Sequence, residues 1–318
     1  MVGPPITLDN TLGAALIGLV LATLLFGILT LQCYIYFTDY PEDRRIVKGF
    51  IGFLWFFNGA HVAIIAAGIY HYLIKNFTDP AALRKPNWAI ILHVFLNSFI
   101  AWLVQLFFAW RVWGVSQRNK YLTAVIVALA CLQFAFGTKS SAIGFDGNVS
   151  SFDTVGTPRV EFLMGMYFGN TLLCDLVITS SLCFILNKSR TGFKRTDSII
   201  NQLMLFSLST GIVTSIFAVV NLVVFFTMPT NLVHLAVGFL LSKLYSNSLL
   251  VHLNIRDTIR HKISESRGVN VASTRRRSGA VISNMEKTEP VTIFMTRTSE
   301  VRTDDSPSLA SSPKVRHI

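Results

Sequence analysis

Charge is what this chain has least of. Only 14% of its 318 residues are Asp, Glu, Lys or Arg, while 52% are hydrophobic. A soluble domain carries about a quarter charged residues, so this supply excludes an ordinary water-facing surface. Cysteine is also scarce. Cys33, Cys131, Cys174 and Cys183 all fall inside apolar runs, which excludes a disulfide framework between loops and leaves them as small buried hydrophobes. The motifs G-x-S-x-G and H-E-x-x-H and the P-loop pattern are missing, so the sequence gives an enzyme no support and implies no cofactor. The opening M-V-G-P-P-I-T-L-D-N lacks the basic start of a signal peptide, and the first apolar run is expected to stay as a helix.

What the chain has instead is long apolar runs. About 20 such residues cross a hydrocarbon core roughly 30 Å thick, and seven stretches are long enough: 12–37, 47–74, 88–113, 121–142, 161–186, 199–227 and 232–253. Backbone amides in lipid must be paired internally, so the stretches predict helices. The fold class expected is an all-α membrane protein, a seven-helix bundle over 12–254 after a short extracellular N-terminus, 1–11. The bilayer is its first partner, in the plasma membrane or the secretory pathway. A net charge of +11 raises nucleic acid as a partner, but twelve of the 28 Lys and Arg follow Asn254 and most others flank apolar runs. That distribution excludes nucleic acid and marks a cytoplasmic edge.

Orientation follows from the same charges. The loops at 38–46, 114–120 and 187–198 carry ten basic residues with their flanks, and the opposite loops carry five. The N-terminus is therefore expected outside and the C-terminus in the cytoplasm. The sequons at Asn76 and Asn148 then lie outside as glycosylation candidates, with Asn148 the better placed. Asn187 lies on the cytoplasmic side, in N187-K-S-R-T-G-F-K-R-T-D-S198, and is expected to carry no glycan. Thr196 or Asp197 is expected to cap the sixth helix.

Ionisable residues inside spans are costly and mark function by default. Asp175 and Lys243 fall at similar depths in the fifth and seventh helices. They are expected to pair, or to share a polar cluster with His61, Asn58, Asn97 and Gln105, which serves either as a register-fixing interior bridge or as a binding site. His71, His93 and His234 sit near helix ends and form a weak candidate metal set. Gly59, Ala63 and Ala67 repeat at helix spacing and predict close helix packing. Pro229 and Asn231 predict a tight turn between the last two spans. Beyond Asn254, Ile255, Ile259 and Ile263 alternate with Arg256, Arg260 and Lys262. This predicts a short amphipathic helix over 255–267 against anionic lipid headgroups. Residues 268–318 are Ser/Thr-rich and expected to be disordered, with Ser278 after Arg275-Arg276-Arg277 a phosphorylation candidate.

Rhodopsin-like receptors are a poor match. W110-R-V-W113 stands where they have D-R-Y, S242-K-L-Y-S-N247 stands where they have N-P-x-x-Y, and the usual outer disulfide has no cysteines. Microbial rhodopsins place an Asp one turn before their lysine, where this chain has Phe239. Four other stretches carry a closer likeness: Y40-P-E-D-R-R45, V104-Q-L-F-F-A-W-R-V-W113, S189-R-T-G-F-K-R-T-D-S-I-I200 and F239-L-L-S-K-L-Y-S-N-S-L-L250. In these the chain resembles a family of fungal, mainly basidiomycete, seven-helix integral membrane proteins known only as a domain of unknown function. The resemblance implies a multi-pass protein and transfers no mechanism or site residue. The leading expectation is receptor-like sensing of a small or lipidic ligand, with a cytoplasmic protein as a further partner. One alternative is a transporter or channel using Asp175 and Lys243, and another is a metal-dependent intramembrane hydrolase.

Overall fold

The structure, a computed structural model, describes residues 12–76, 79, 85–145, 157–190, 194–228 and 232–255. The chain divides into one unit over Met1–Ser266 and a second over Arg267–Ile318; no residue of the second is described. The N-terminal eleven residues, Asn148, the turn at Pro229 and Asn231, the amphipathic repeat beyond Ile255 and the tail with Ser278 all lie outside the described residues.

Among the described residues the chain is helical. The helices are α1 (Ala14–Asp39), α2 (Arg45–Tyr70, continued by a π-turn over His71–Lys75), α3 (Trp88–Val115), α4 (Lys120–Phe145), α5 (Pro158–Lys188), α6 (Lys194–Thr227) and α7 (233–255). Six of them, all but α7, are long and apolar enough to cross a bilayer. Large apolar side chains such as Ile17, Leu24, Phe56, Phe162, Phe184 and Leu205 point out of the bundle, as lipid contact requires. This is a multi-pass membrane protein. Trp88, Trp110 and Tyr34 are exposed near helix ends, where amphipathic rings suit the headgroup level.

Local chemistry sets the helix ends. Asn87 caps α3 by accepting from the Ala89 N–H at 3.2 Å. Asn119 caps α4 by accepting from Tyr121 and Leu122. Pro158 begins α5, where its missing N–H costs nothing. The tight α3–α4 turn puts two non-glycine residues, Gln117 and Arg118, at positive φ. At the end of α2 the Asn76 N–H reaches back to the His71 carbonyl, closing the wider π-turn. α6 starts at Lys194, earlier than the apolar run. Thr196 and Asp197 therefore lie within its first turn and not before it, so the expected cap is corrected. The carboxylate of Asp197 complements the helix dipole there.

Consecutive helices pack side by side from α1 to α6, and α3 also meets α5. The ring closes where α7 returns to α1: a Cβ on Gly18 would stand 2.7 Å from Ala236 Cα. Farther along, Asn247 donates to the Leu25 carbonyl at 3.0 Å and Asn254 to the Gln32 carbonyl at 2.9 Å. Both partners step by seven residues, two turns of parallel helices. Tyr40 OH donates to the Asn254 carbonyl at 2.8 Å. Interhelical bonds of this kind average about 0.6 kcal/mol each in a membrane bundle, so close packing has to carry much of the seam. α3 and α7 are the interior helices. In its most apolar stretch α3 is 50% buried, against 19–33% for α1, α2, α4, α5 and α6, and nearly every residue from 238 to 250 of α7 is buried.

The small-residue stripe of α2 is only partly a contact. Gly59 admits the ring of Phe26 from α1, but Ala63 and Ala67 are exposed. The inward face of α2 is instead Leu54, Asn58, His61, Ile65 and Gly68. Spacing alone gave a stripe without saying which way it turned.

Replacing Gly18 with Val should destabilise the bundle by about 1–3 kcal/mol, because the contact is with backbone that has no room to move. Gly27→Val, at a position with open space around it, should be near neutral. Thermal unfolding of both variants in lipid nanodiscs checks this pair.

Candidate functional site

All six residues expected in a polar cluster are buried: Asn58, His61, Asn97, Gln105, Asp175 and Lys243. The structure sorts them into two levels. Asn97 and Gln105 on α3 are eight residues apart, as are Tyr167 and Asp175 on α5, so the levels are separated by about 12 Å.

The first level lies toward the end of the bundle where α1, α3, α5 and α7 begin. Lys243 Nζ donates to His61 Nδ1 at 2.5 Å and to Ser242 Oγ at 3.3 Å. His61 Nε2 lies 2.7 Å from His93 Nδ1, and the two imidazoles are parallel with centroids 5.0 Å apart. As an ammonium, Lys243 has only donors to offer; in that state His61 accepts at Nδ1 and carries its proton on Nε2. His93 then accepts at Nδ1 and carries its own proton on Nε2. Asn97 Oδ1 accepts from the Ser242 N–H at 3.1 Å, while its amide donates to Tyr167 OH at 3.2 Å. Below this, Asn58 donates to Ser246 Oγ at 2.8 Å.

His93 also faces a cavity of about 100 Å³ lined by residues of α3–α7. Ile90, Ile91, Val94, Met164, Phe168 and Phe225 form its apolar wall. Its polar side holds His93, Asn97, Tyr167, Asn221 and His234, with Ser140 and Ser141 from α4. Asn221 is 2% exposed, and its Oδ1 has no hydrogen-bond partner among the described residues. A Cβ at Gly238 would stand 3.5 Å from His93 Nε2 and 3.7 Å from Asn221 Nδ2. Glycine thus leaves the space between one donor, the His93 Nε2–H, and one amide with an open acceptor.

The second level centres on Asp175. Its Oδ2 accepts from Tyr245 OH at 2.5 Å and its Oδ1 from Gln105 Nε2 at 3.3 Å. Thr214 adds a side-chain hydrogen bond. A smaller cavity of about 30 Å³ opens beside these groups.

Asp175 and Lys243 therefore do not pair. Tyr245 follows Lys243 by two positions, about 200° around a helix with 3.6 residues per turn. Tyr245 turns to Asp175 on α5, and Lys243 turns to His61 on α2. Equal depth in the sequence carried no information about this rotation. The histidine set also forms differently. His93 and His234 line one cavity, but His71 Nε2 is taken by the Asn76 amide at 2.8 Å, and His61 is the imidazole that meets His93. Among the described residues no three His, Cys, Asp or Glu side chains converge to hold a metal.

Tyr167, Asn221, Ser242 and Tyr245 were not singled out by sequence reasoning. For α7 a signal existed. S242-K-L-Y-S-N247 has polar residues at five of six successive positions, and such a helix has no face to give to lipid.

If Lys243 acts with His61 and apart from Asp175, the effects of Lys243→Met and Asp175→Asn on stability should add within about 0.5 kcal/mol. Lys243→Met and His61→Phe should be non-additive by about 0.5–3 kcal/mol. Double-mutant cycles on the purified protein measure both.

Compared with known proteins, the chain matches the model of a family of unknown function (DUF6534) over residues 171–258. That stretch begins in α5, spans α6 and α7, and includes Asp175, Asn221 and Lys243. No curated protein matches the chain. No solved structure matches it either.

Proposed function

We propose that the protein is a membrane receptor that takes up a small amphipathic molecule in the cavity beside His93. The observation that carries this reading is the largely apolar cavity with the His93 imidazole and the Asn221 amide, whose Oδ1 has no hydrogen-bond partner among the described residues, at its polar side. An unpaired buried acceptor is costly unless something donates to it. A mainly apolar molecule bearing one hydroxyl, or a hydroxyl next to a carbonyl, satisfies both groups while covering the walls. With the N-terminus outside, as the basic loops indicate, the cavity lies in the outer half of the bilayer, within reach of the outer leaflet. Arg190, which donates to Asn201 Oδ1 across the α5–α6 connection, and its basic neighbours lie on the cytoplasmic side, which a signalling partner would face. The match to a family of unknown function names no ligand.

A second reading is favoured by the smaller cavity at the deeper level, beside Asp175. A transporter would use both levels in turn, with Lys243 and Asp175 on the path. It predicts that single cysteines at Asn221 and at Ser248 are both labelled by membrane-impermeant thiol reagents, each from its own side. A receptor predicts labelling at Asn221 alone.

Gly238→Phe should fill the cavity, whereas Gly238→Ala should fit at ordinary contact distance. Mass spectrometry of molecules that co-purify in nanodiscs should find an amphipathic species with the wild type and Gly238→Ala and a loss of at least about tenfold in Gly238→Phe, a change of about 1.4 kcal/mol. Equal retention by Gly238→Phe, at unchanged melting temperature, contradicts the reading.

Orientation has its own check. The Asn76 amide closes the end of α2 by donating to the His71 carbonyl, a role a glycan would disturb, and Asn148 is the sequon proposed to carry the sugar. Asn148→Gln should abolish the endoglycosidase-sensitive mass shift, and Asn187→Gln should leave it unchanged.

A further inference from the structure

The carboxylate of Asp175 is buried at membrane depth, and among the described residues no Lys, Arg or His lies at ion-pair distance from it. Its two oxygens accept hydrogen bonds, Oδ2 from Tyr245 and Oδ1 from Gln105. Accepting at both oxygens is the pattern of an ionised carboxylate. A lone negative charge in the interior of a bundle calls for a counter-charge close by. Lys243, the cation at similar depth in its span, is committed to His61 on the other side of α7.

The cavity next to Asp175, walled in part by Phe108, Ile178 and Leu182, has the size to hold that counter-charge and oxygen atoms beside it. Its volume of about 30 Å³ suits a single ion or water. Oxygen donors line it from three helices: Thr179 on α5, Ser207 and Thr214 on α6, and Tyr245 on α7. Gln105 on α3 lines it too, is 1% exposed, and has an Oε1 without a hydrogen-bond partner. An amide oxygen left unpaired beside a carboxylate needs a donor or a cation, since another acceptor would repel it. Gly211 makes the arrangement possible, because Thr179 Oγ1 occupies the place a Cβ would take there.

We infer that this cavity is a binding site for a monovalent, sodium-sized cation held by Asp175, Gln105 Oε1 and the surrounding hydroxyls. Hard oxygen donors select an alkali or alkaline-earth ion over a transition metal. One carboxylate balances one positive charge, so a divalent ion would leave net charge in the bundle. The site lies a level below the His93 cavity, and none of the residues that hold the ion lines that cavity. His252 also lines this space, and with Asp175 and Tyr245 it makes up the titratable groups facing the ion.

The test is thermal unfolding of the full chain in nanodiscs, in sodium chloride against choline chloride at constant ionic strength. Sodium should raise the melting temperature saturably, by about 3–6 °C at ten times the half-saturating concentration. Asp175→Asn should remove the sodium dependence, and Gln105→Leu should raise the half-saturating concentration about tenfold or more. Should Asp175→Asn fail to fold, ²³Na relaxation on the wild type provides a separate readout: line broadening that excess lithium relieves is expected. Identical melting in sodium and choline, a sodium shift retained by Asp175→Asn, or melting that follows pH while ignoring sodium would each overturn the site. The last outcome would assign the counter-charge to a proton.

Discussion

Everything in this bundle answers to one constraint: α7 is polar on all its faces at a depth where lipid offers no hydrogen bonds. Lys243, Tyr245, Ser246 and Asn247 follow Ser242 within five positions and are all buried. A helix of that kind is stable only when other helices surround it and supply hydrogen-bond partners. The surrounding helices do so from every direction. α1 offers backbone carbonyls to Asn247 and Asn254, α2 offers His61 and Asn58, α3 offers Asn97, and α5 offers Asp175. The ring exists because its centre cannot face outward.

That arrangement also links the cavity to the axis. His93 stands at the cavity wall and leans on His61, which holds Lys243. With Lys243 as the ammonium, the direction of each proton in this series follows from the lysine at its end. A ligand that accepts from His93 Nε2 would therefore act on a hydrogen-bonded series that ends on α7, with few intermediate groups. The same helix presents Tyr245 to Asp175 two residues on. A small rotation of α7 would alter both levels together, so the two sites have a physical means of influencing one another.

The parts of this account that the sequence made legible were those governed by length and composition. Spans are set by hydrocarbon thickness, so six of the helices could be placed from runs of apolar residues, with ends displaced by a few positions where caps such as Asn87 and Asn119 decide. Burial of Asp175, Lys243 and His61 was legible because lipid penalises them. Pairing was not, since it depends on the rotation of α5 and α7 about their own axes, and depth says nothing of rotation. The exposed Ala63 and Ala67 failed for the same reason. The cavity was not legible either: it is the space that five helices leave between them, and Gly238 stands out as its floor only once His93 and Asn221 are seen on either side.

The most direct test of the central claim, that His93 and Asn221 face a ligand across Gly238, is a density map of the purified protein in lipid at side-chain resolution. The account predicts elongated density in the cavity with a polar end within about 3.2 Å of both His93 Nε2 and Asn221 Oδ1. Collapsed walls with His93 turned away from Gly238, or a cavity holding ordered water alone, would contradict it.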